Sequence, residues 1–202
     1  MIAPARRRCD GSYTSAISIE PSAYARLREI ADRLPQMPGI GRVEIADGEI
    51  VMMMSPVRRH ELAVLRLTRQ LNAQLEQTHP GMVAFAGADL EDAGLGRLRR
   101  PDIMVFPEEA LEAADPPALT PHEVLLVVEI VAKSSPANDH ENKVADYSAM
   151  GIPHYLLVDP RDGTGIVHSL PGYSRRTPFV FGDMVEVGPW RLDTGGLSTY
   201  AS

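Results

Sequence analysis

The sequence predicts a single α/β domain, and residues 123–160 carry most of that prediction. They open with an apolar run, Val124 to Val128 continued by Ile130 and Val131, that fits a strand buried on both faces. A helical segment follows and is closed by Gly151 and Pro153. A second apolar strand then runs from His154 to Val158 and ends in Asp159-Pro160. Strand, helix and strand in this order are the α/β signature. One residue breaks the hydrophobicity: Glu129. A carboxylate in a buried strand is costly unless it is neutralised, hydrogen-bonded or bound to a metal.

Composition sets the outer limits. A chain of 202 residues is long enough to bury a substantial core in one domain. With 44% hydrophobic and 23% charged residues it has an ordinary globular mix. The net charge of −7 argues against a general nucleic-acid-coating protein but leaves room for a local basic patch. Cys9 is the only cysteine, which excludes a disulfide framework or a cysteine zinc site and favours an intracellular, cytoplasmic setting. No run approaches the length of a membrane span, so no membrane partner is expected. Residues 1–18 read as a loose tail: their arginines have no apolar stretch behind them, unlike a secretory signal. Residues 19–202 read as the domain.

Within that domain, Tyr24, Leu27, Ala31 and Leu34 recur at helical spacing over residues 21–34. The Pro- and Gly-rich stretch from Pro35 to Gly41 ends that helix. Asp47-Gly48 then predicts a two-residue hairpin turn that pairs Ile45 with Ile50 and Val43 with Met52. The other face carries Glu44, Ala46, Glu49 and Val51; a solvated sheet face is the ordinary reading and a functional one the alternative. After Ser55-Pro56 a longer helix runs from about Arg58 to Gln77, with Val64, Leu67, Leu71 and Leu75 as its apolar stripe. Arg59, Arg66 and Arg69 lie opposite, either as a solvated face or as a phosphate-contact surface. His60, near the start of that helix, is equally open to a structural or a catalytic reading.

Residues 82–88 and 98–106 read as two strands joined by the Gly- and acid-rich loop 89–97. Pro101 lacks a backbone donor and belongs at a strand start or edge. Asp102 follows it, at the mouth of Ile103-Met104-Val105-Phe106, and is the second acid out of place. Arg97, Arg99 or Arg100 could pair with it.

On the helix inside residues 123–160, about 100° per residue puts Asp139, Lys143, Tyr147 and Met150 on one side. Tyr147 and Met150 are natural inward residues, so Lys143 shares the packing stripe. Lysine is almost never buried without a partner, and Glu129, Asp102 or a bound phosphate would serve; a snorkelling lysine is the alternative. Two acids and a lysine suggest a metal-dependent phosphodiesterase site. The acids would hold a hard cation such as Mg²⁺, and the lysine would orient the attacking water or stabilise the transition state. Replacing Glu129 with Gln would then relieve a cost of the cation-free protein.

The sequence also resembles the Uma-two family of candidate restriction endonucleases, within the PD-(D/E)XK nuclease superfamily. The resemblance runs from about Glu44 onward. Its carriers are VEIADGEIVMMMSP, His60, Arg100-Pro101-Asp102, Val128-Glu129-Ile130-Val131, Asp139, Lys143, Tyr147, Gly151 to Tyr155, and Val158-Asp159-Pro160. It implies a restriction-endonuclease-like fold, with a mixed central sheet flanked by helices behind the N-terminal helix and β-hairpin. It also implies that Asp102 and Glu129 sit on adjacent strands and bind Mg²⁺, with Mn²⁺ as a substitute and the Ile130 carbonyl as a further ligand.

Two departures from the superfamily stand out. Its usual lysine, two positions after the Glu, would fall at Val131; the resemblance places it instead at Lys143, with Lys133 as the fallback. Val131-Ala132-Lys133-Ser134-Ser135 also stands where family members often carry Ser-Pro-Ser. The implied activity is Mg²⁺-dependent hydrolysis of phosphodiester bonds in nucleic acid, with DNA favoured. Glu44 and His60 are further candidates for the site, and Arg59, Arg66, Arg69 and Arg100 for nucleic-acid contact. A homodimer would suit an enzyme that cuts both strands. The alternative is a catalytically inactive binding or regulatory module, for which the acidic charge and Val131 speak.

Overall fold

The computed structural model describes residues 19–35, 39–112, 118–132 and 141–200. Helix α1 (Pro21–Arg33) starts on a proline, whose missing N–H costs nothing in a first turn, and buries Tyr24. Strands β1 (Ile40–Ala46) and β2 (Glu49–Met54) form the expected hairpin, with Val43 opposite Met52 and Ile45 opposite Ile50. Asp47 and Gly48 both take positive φ, 52° and 78°, which a tight hairpin turn of this twist requires. Helix α2 (Arg58–Thr78) buries Val64, Leu67, Leu71 and Leu75, the stripe read from the sequence. Each such side chain contributes roughly 1.5–3 kcal/mol by leaving water.

The region after α2 departs from expectation. Strand β3 (Met82–Phe85) is followed by β4 (Leu90–Asp92), inside the expected loop 89–97, and by β5 (Arg97–Arg99), which takes the last residue of that loop and the first two of the expected strand. Residues 98–106 are not one strand. β5 ends at Arg99, and β6 (Ile103–Pro107) begins only after Arg100-Pro101-Asp102. Pro101 cannot donate to a ladder and pushes its predecessor out of line, so the chain leaves one sheet and enters another at this point.

Two 3-10 turns, Glu108–Leu111 and Pro121–Glu123, lead to β7 (Leu126–Ile130), α3 (Lys143–Ala149), β8 (His154–Asp159), β9 (Thr164–Ser169), β10 (Arg175–Val180), β11 (Met184–Val187) and β12 (Trp190–Asp193). β9 to β12 lie outside the elements the sequence predicts. Lys133 and Asp139 fall outside the described residues, so the fallback lysine and the first residue of the predicted helix stripe are not placed.

A six-stranded sheet runs β10-β9-β8-β7-β6-β3. β7 and β8 are parallel, as the α3 crossover requires, and the other pairs are antiparallel, so the sheet is mixed. Alternation assigns its two faces. Ile103, Val105, Leu126, Val128, Ile130, Leu156 and Val158 meet α2 and the β11-β12 hairpin. Met104, Phe106, Val127, Val131, Tyr155 and Leu157 meet Val144, Tyr147 and Met150 around α3. A smaller sheet, β2-β1-β5-β4, packs Ile45 and Leu98 against Tyr24 of α1.

Candidate active site

β6 and β7 are antiparallel with Ile103 opposite Val128, so Asp102 comes next to Glu129 one step further along the ladder. Side chains alternate along strands, so both acids share the α3 face with Met104 and Val127. α3 then delivers Lys143, whose Nζ lies 2.9 Å from Glu129 Oε1 and 3.6 Å from Glu44 Oε1. The Tyr147 hydroxyl, one turn on, donates to the same Glu129 oxygen at 2.6 Å. Burial and, after it, the Glu129 carboxylate raise the Tyr147 pKa well above the usual phenol range, so the hydroxyl keeps its proton as a donor.

Asp102 is held from three sides. The Ile130 N–H donates to Oδ2 at 2.8 Å, His60 Nε2 lies 3.0 Å from Oδ2, and the Arg42 guanidinium donates to Oδ1 at 2.5 Å. Burial pushes the Asp102 carboxyl up, but His60, Arg42 and Lys143 outweigh it and bring it down to about 2. Burial pushes His60 down, and its bond to Asp102 outweighs that, so the imidazole is raised above its ordinary 6.5. The Arg that pairs with Asp102 is therefore Arg42, not Arg97, Arg99 or Arg100.

Those other arginines answer other acids. Arg99 donates from Nη1 to Glu44 at 2.8 Å and from Nε to Asp146 at 3.0 Å, and Arg97 Nε donates to Asp146 at 2.8 Å. Arg100 pairs with Asp89, at 2.6 Å. Glu44 is 0% exposed, so the hairpin's second face turns into the site at this position rather than to water. Burial raises its carboxyl, and Lys143 and Arg99 outweigh that and lower it. Four buried acids (Glu44, Asp102, Glu129, Asp146) thus meet four cations (Arg42, Arg97, Arg99, Lys143), a balance without which such burial would be prohibitive.

Glu44, His60, Asp102, Glu129, Ile130 and Lys143 all line one cleft of about 270 Å³. Its remaining wall includes Arg42, Met53, Met54, Val57 and Tyr200, whose hydroxyl donates to the Val131 carbonyl at 2.8 Å. The four arginines proposed for nucleic-acid contact are not part of this lining. Arg59 donates to the Thr199 carbonyl at 2.7 Å, Arg66 to that of Gly196, and Arg69 is exposed. The sequence reading missed Arg42 and Asp146, and it offered Arg99 to Asp102 where the structure gives it to Glu44 and Asp146. Two signals could have found them: Arg42 shares strand parity with Glu44, and Asp146 follows Lys143 by three residues on the helix.

Fold and site together define a mixed α/β domain with a cross-strand acid pair answered by a lysine from its crossover helix. Residues 28–190 match the Uma2 family, described as "Putative restriction endonuclease", and the chain belongs to that family. A solved structure titled "a putative nuclease belonging to DUF820" from Anabaena variabilis has a similar fold, with a TM-score of 0.65 and 16% identity over 85% of this chain and 96% of that one. No curated protein matches the chain. No described helix is long and apolar enough to cross a membrane.

Proposed function

We propose that this protein is a metal-dependent nuclease that hydrolyses phosphodiester bonds in nucleic acid, with DNA as the favoured substrate. The observation that carries the reading is the register that sets Asp102 beside Glu129, with Lys143 2.9 Å from Glu129 in the same cleft. The donor set fits Mg²⁺, which takes oxygen ligands, uses one or two carboxylates and keeps several waters. Among the described residues no three His, Cys, Asp or Glu side chains form a metal cage.

Asp102 and Glu129 would hold the ion, with the Ile130 carbonyl as a third oxygen. A cation held there would supply a more acidic water and a counter-charge for the phosphate. Lys143 presents an ammonium to the attacking water or to the developing negative charge, and Glu44 and Glu129 keep that ammonium in place. His60 fixes the orientation of Asp102, and Tyr147 that of Glu129.

The test is a cleavage assay on DNA and RNA with Mg²⁺ or Mn²⁺. Glu129→Gln should abolish metal-dependent cleavage. Lys143→Met should cost about 10²–10³ in rate, the usual value of one transition-state donor. A Glu129→Gln protein that cleaves normally contradicts the assignment. One observation favours a second reading, a nuclease-like fold that binds without cutting: both candidate acids are already ion-paired, to Arg42 and Lys143. That module would bind nucleic acid, cleave nothing, and melt at a temperature indifferent to Mg²⁺ and Mn²⁺.

A further inference from the structure

The two oxygens of Asp102 are used differently. Oδ2 accepts the Ile130 backbone N–H and faces His60, both on rigid elements, so it is committed to holding the carboxylate in place. Oδ1 carries Arg42 Nη1, which also donates to the Arg100 carbonyl at 3.1 Å. A cation approaching Asp102 through Oδ1 therefore meets a guanidinium already on that oxygen.

Besides His60, the acid pair carries Arg42 and Lys143, and these two differ in freedom. The Lys143 side chain is 3% exposed and sits between Glu129 and Glu44, so it stays where it is. Arg42 is 19% exposed on strand β1, just where that strand shifts register between Ile40 and Arg42. Among the described residues that line the cleft it is also the only guanidinium. Met53, Met54, Ser55, Pro56 and Val57 form the neighbouring wall, and the carboxylates of Glu129 and Glu44 also act on the guanidinium. An arginine pushed off Asp102 would remain at the cleft mouth as a planar, two-pronged donor suited to a phosphate oxygen pair.

We infer that Arg42 is a positioning residue that holds the cation's seat. Its guanidinium occupies Asp102 Oδ1 in the ligand-free protein and passes to a backbone phosphate of the nucleic acid when a divalent cation takes that oxygen. This rests on the cation reading proposed above. Cation and nucleic acid then favour the same arrangement of Arg42, so each tightens the binding of the other, by the reciprocity of linked sites.

The experiment is calorimetric titration of wild type, Arg42→Met and Arg42→Lys with Mn²⁺ and Mg²⁺, without nucleic acid. Alongside it, anisotropy measures the binding of a phosphorothioate-linked oligonucleotide with and without the cation. Arg42→Met should bind the cation about tenfold more tightly, the equivalent of about 1.4 kcal/mol. Its gain in oligonucleotide affinity on adding cation should shrink towards none, with Arg42→Lys between the two. A thermal melt confirms that each variant is folded; if Arg42→Met is not, Arg42→Gln reads the same change. Unchanged or weaker cation binding in a folded variant overturns the inference and leaves Arg42 a structural clamp, while the cation reading stands. No cation heat in wild type or in any variant overturns both.

Discussion

At the scale of single residues, the site is a set of acids each held by identified donors, and removing one acid exposes its partners. In Asp102→Asn, Arg42 and His60 lose the charge that offsets their burial, so the fold should lose about 3–5 kcal/mol, the usual cost of breaking a buried pair from one side. His60 supplies the specific readout. In wild type its imidazole should titrate above 6.5 by NMR, and in Asp102→Asn it should fall below that value, because burial is then no longer opposed. An unmoved His60 titration would separate it from Asp102. The structure also reverses one expectation from the sequence. Glu129→Gln does not relieve an uncompensated charge, since Lys143 and Tyr147 already satisfy the carboxylate. It removes the closer carboxylate partner of a buried ammonium, 2.9 Å away against 3.6 Å for Glu44, so a loss of stability is expected.

At the scale of elements, the parallel β7-α3-β8 unit places the site, and its neighbour β9 limits how that unit can be altered. Gly165 pairs with Val158 of β8 and with Phe179 of β10. A Cβ there would stand 2.2 Å from the Phe179 ring and 2.5 Å from the Leu157 carbonyl oxygen. The ring can turn, but the carbonyl belongs to the sheet. Gly165→Ala should therefore destabilise by about 1–3 kcal/mol, as overpacked cores do, and shift the denaturant midpoint with an unchanged slope. A midpoint equal to wild type would mean that β8 and β9 can separate more easily than their pairing indicates. The break at Arg100-Pro101-Asp102 is the other decisive element. Without it Asp102 would continue β5 in the small sheet and would not face Glu129.

For the whole molecule, the buried charges set a window of pH. Glu44 and Asp102 are both lowered from ordinary values of 4.5 and 3.8, so their stabilisation is present above those values. It is lost as pH falls through the lowered ones, to about 2 for Asp102. His60 works in the opposite sense. It is raised from 6.5, so its contribution is complete below 6.5 and disappears as pH rises through the folded value. Denaturant midpoints measured across pH should therefore peak between about 4.5 and 6.5 and decline on both sides. A midpoint that climbs steadily from pH 5 to pH 9 would show that the His60–Asp102 bond contributes nothing to folding.

Much of this molecule is determined by local pattern. Alternating and continuous apolar runs place β6, β7 and β8, helical spacing places α1 and α2, and Asp47-Gly48 places the hairpin with its register. Glu129 and Asp102 were visible because an acid in a buried strand contradicts its surroundings, and Lys143 because it stands on a packing stripe. Strands β9 to β12 were not visible. β10, for instance, is exposed at five of its six residues and carries little apolar signal. The partners of the acids were decided only by the tertiary structure. Arg42 lies 60 residues from Asp102, and Glu44 lies 55 from Arg99. The face of Glu44 was decided there too: water and a buried guanidinium both satisfy a carboxylate, and only the packing of the small sheet against α3 selects the second. Burial makes a partner obligatory, but which partner it is depends on chain closure over distances that no local spacing encodes.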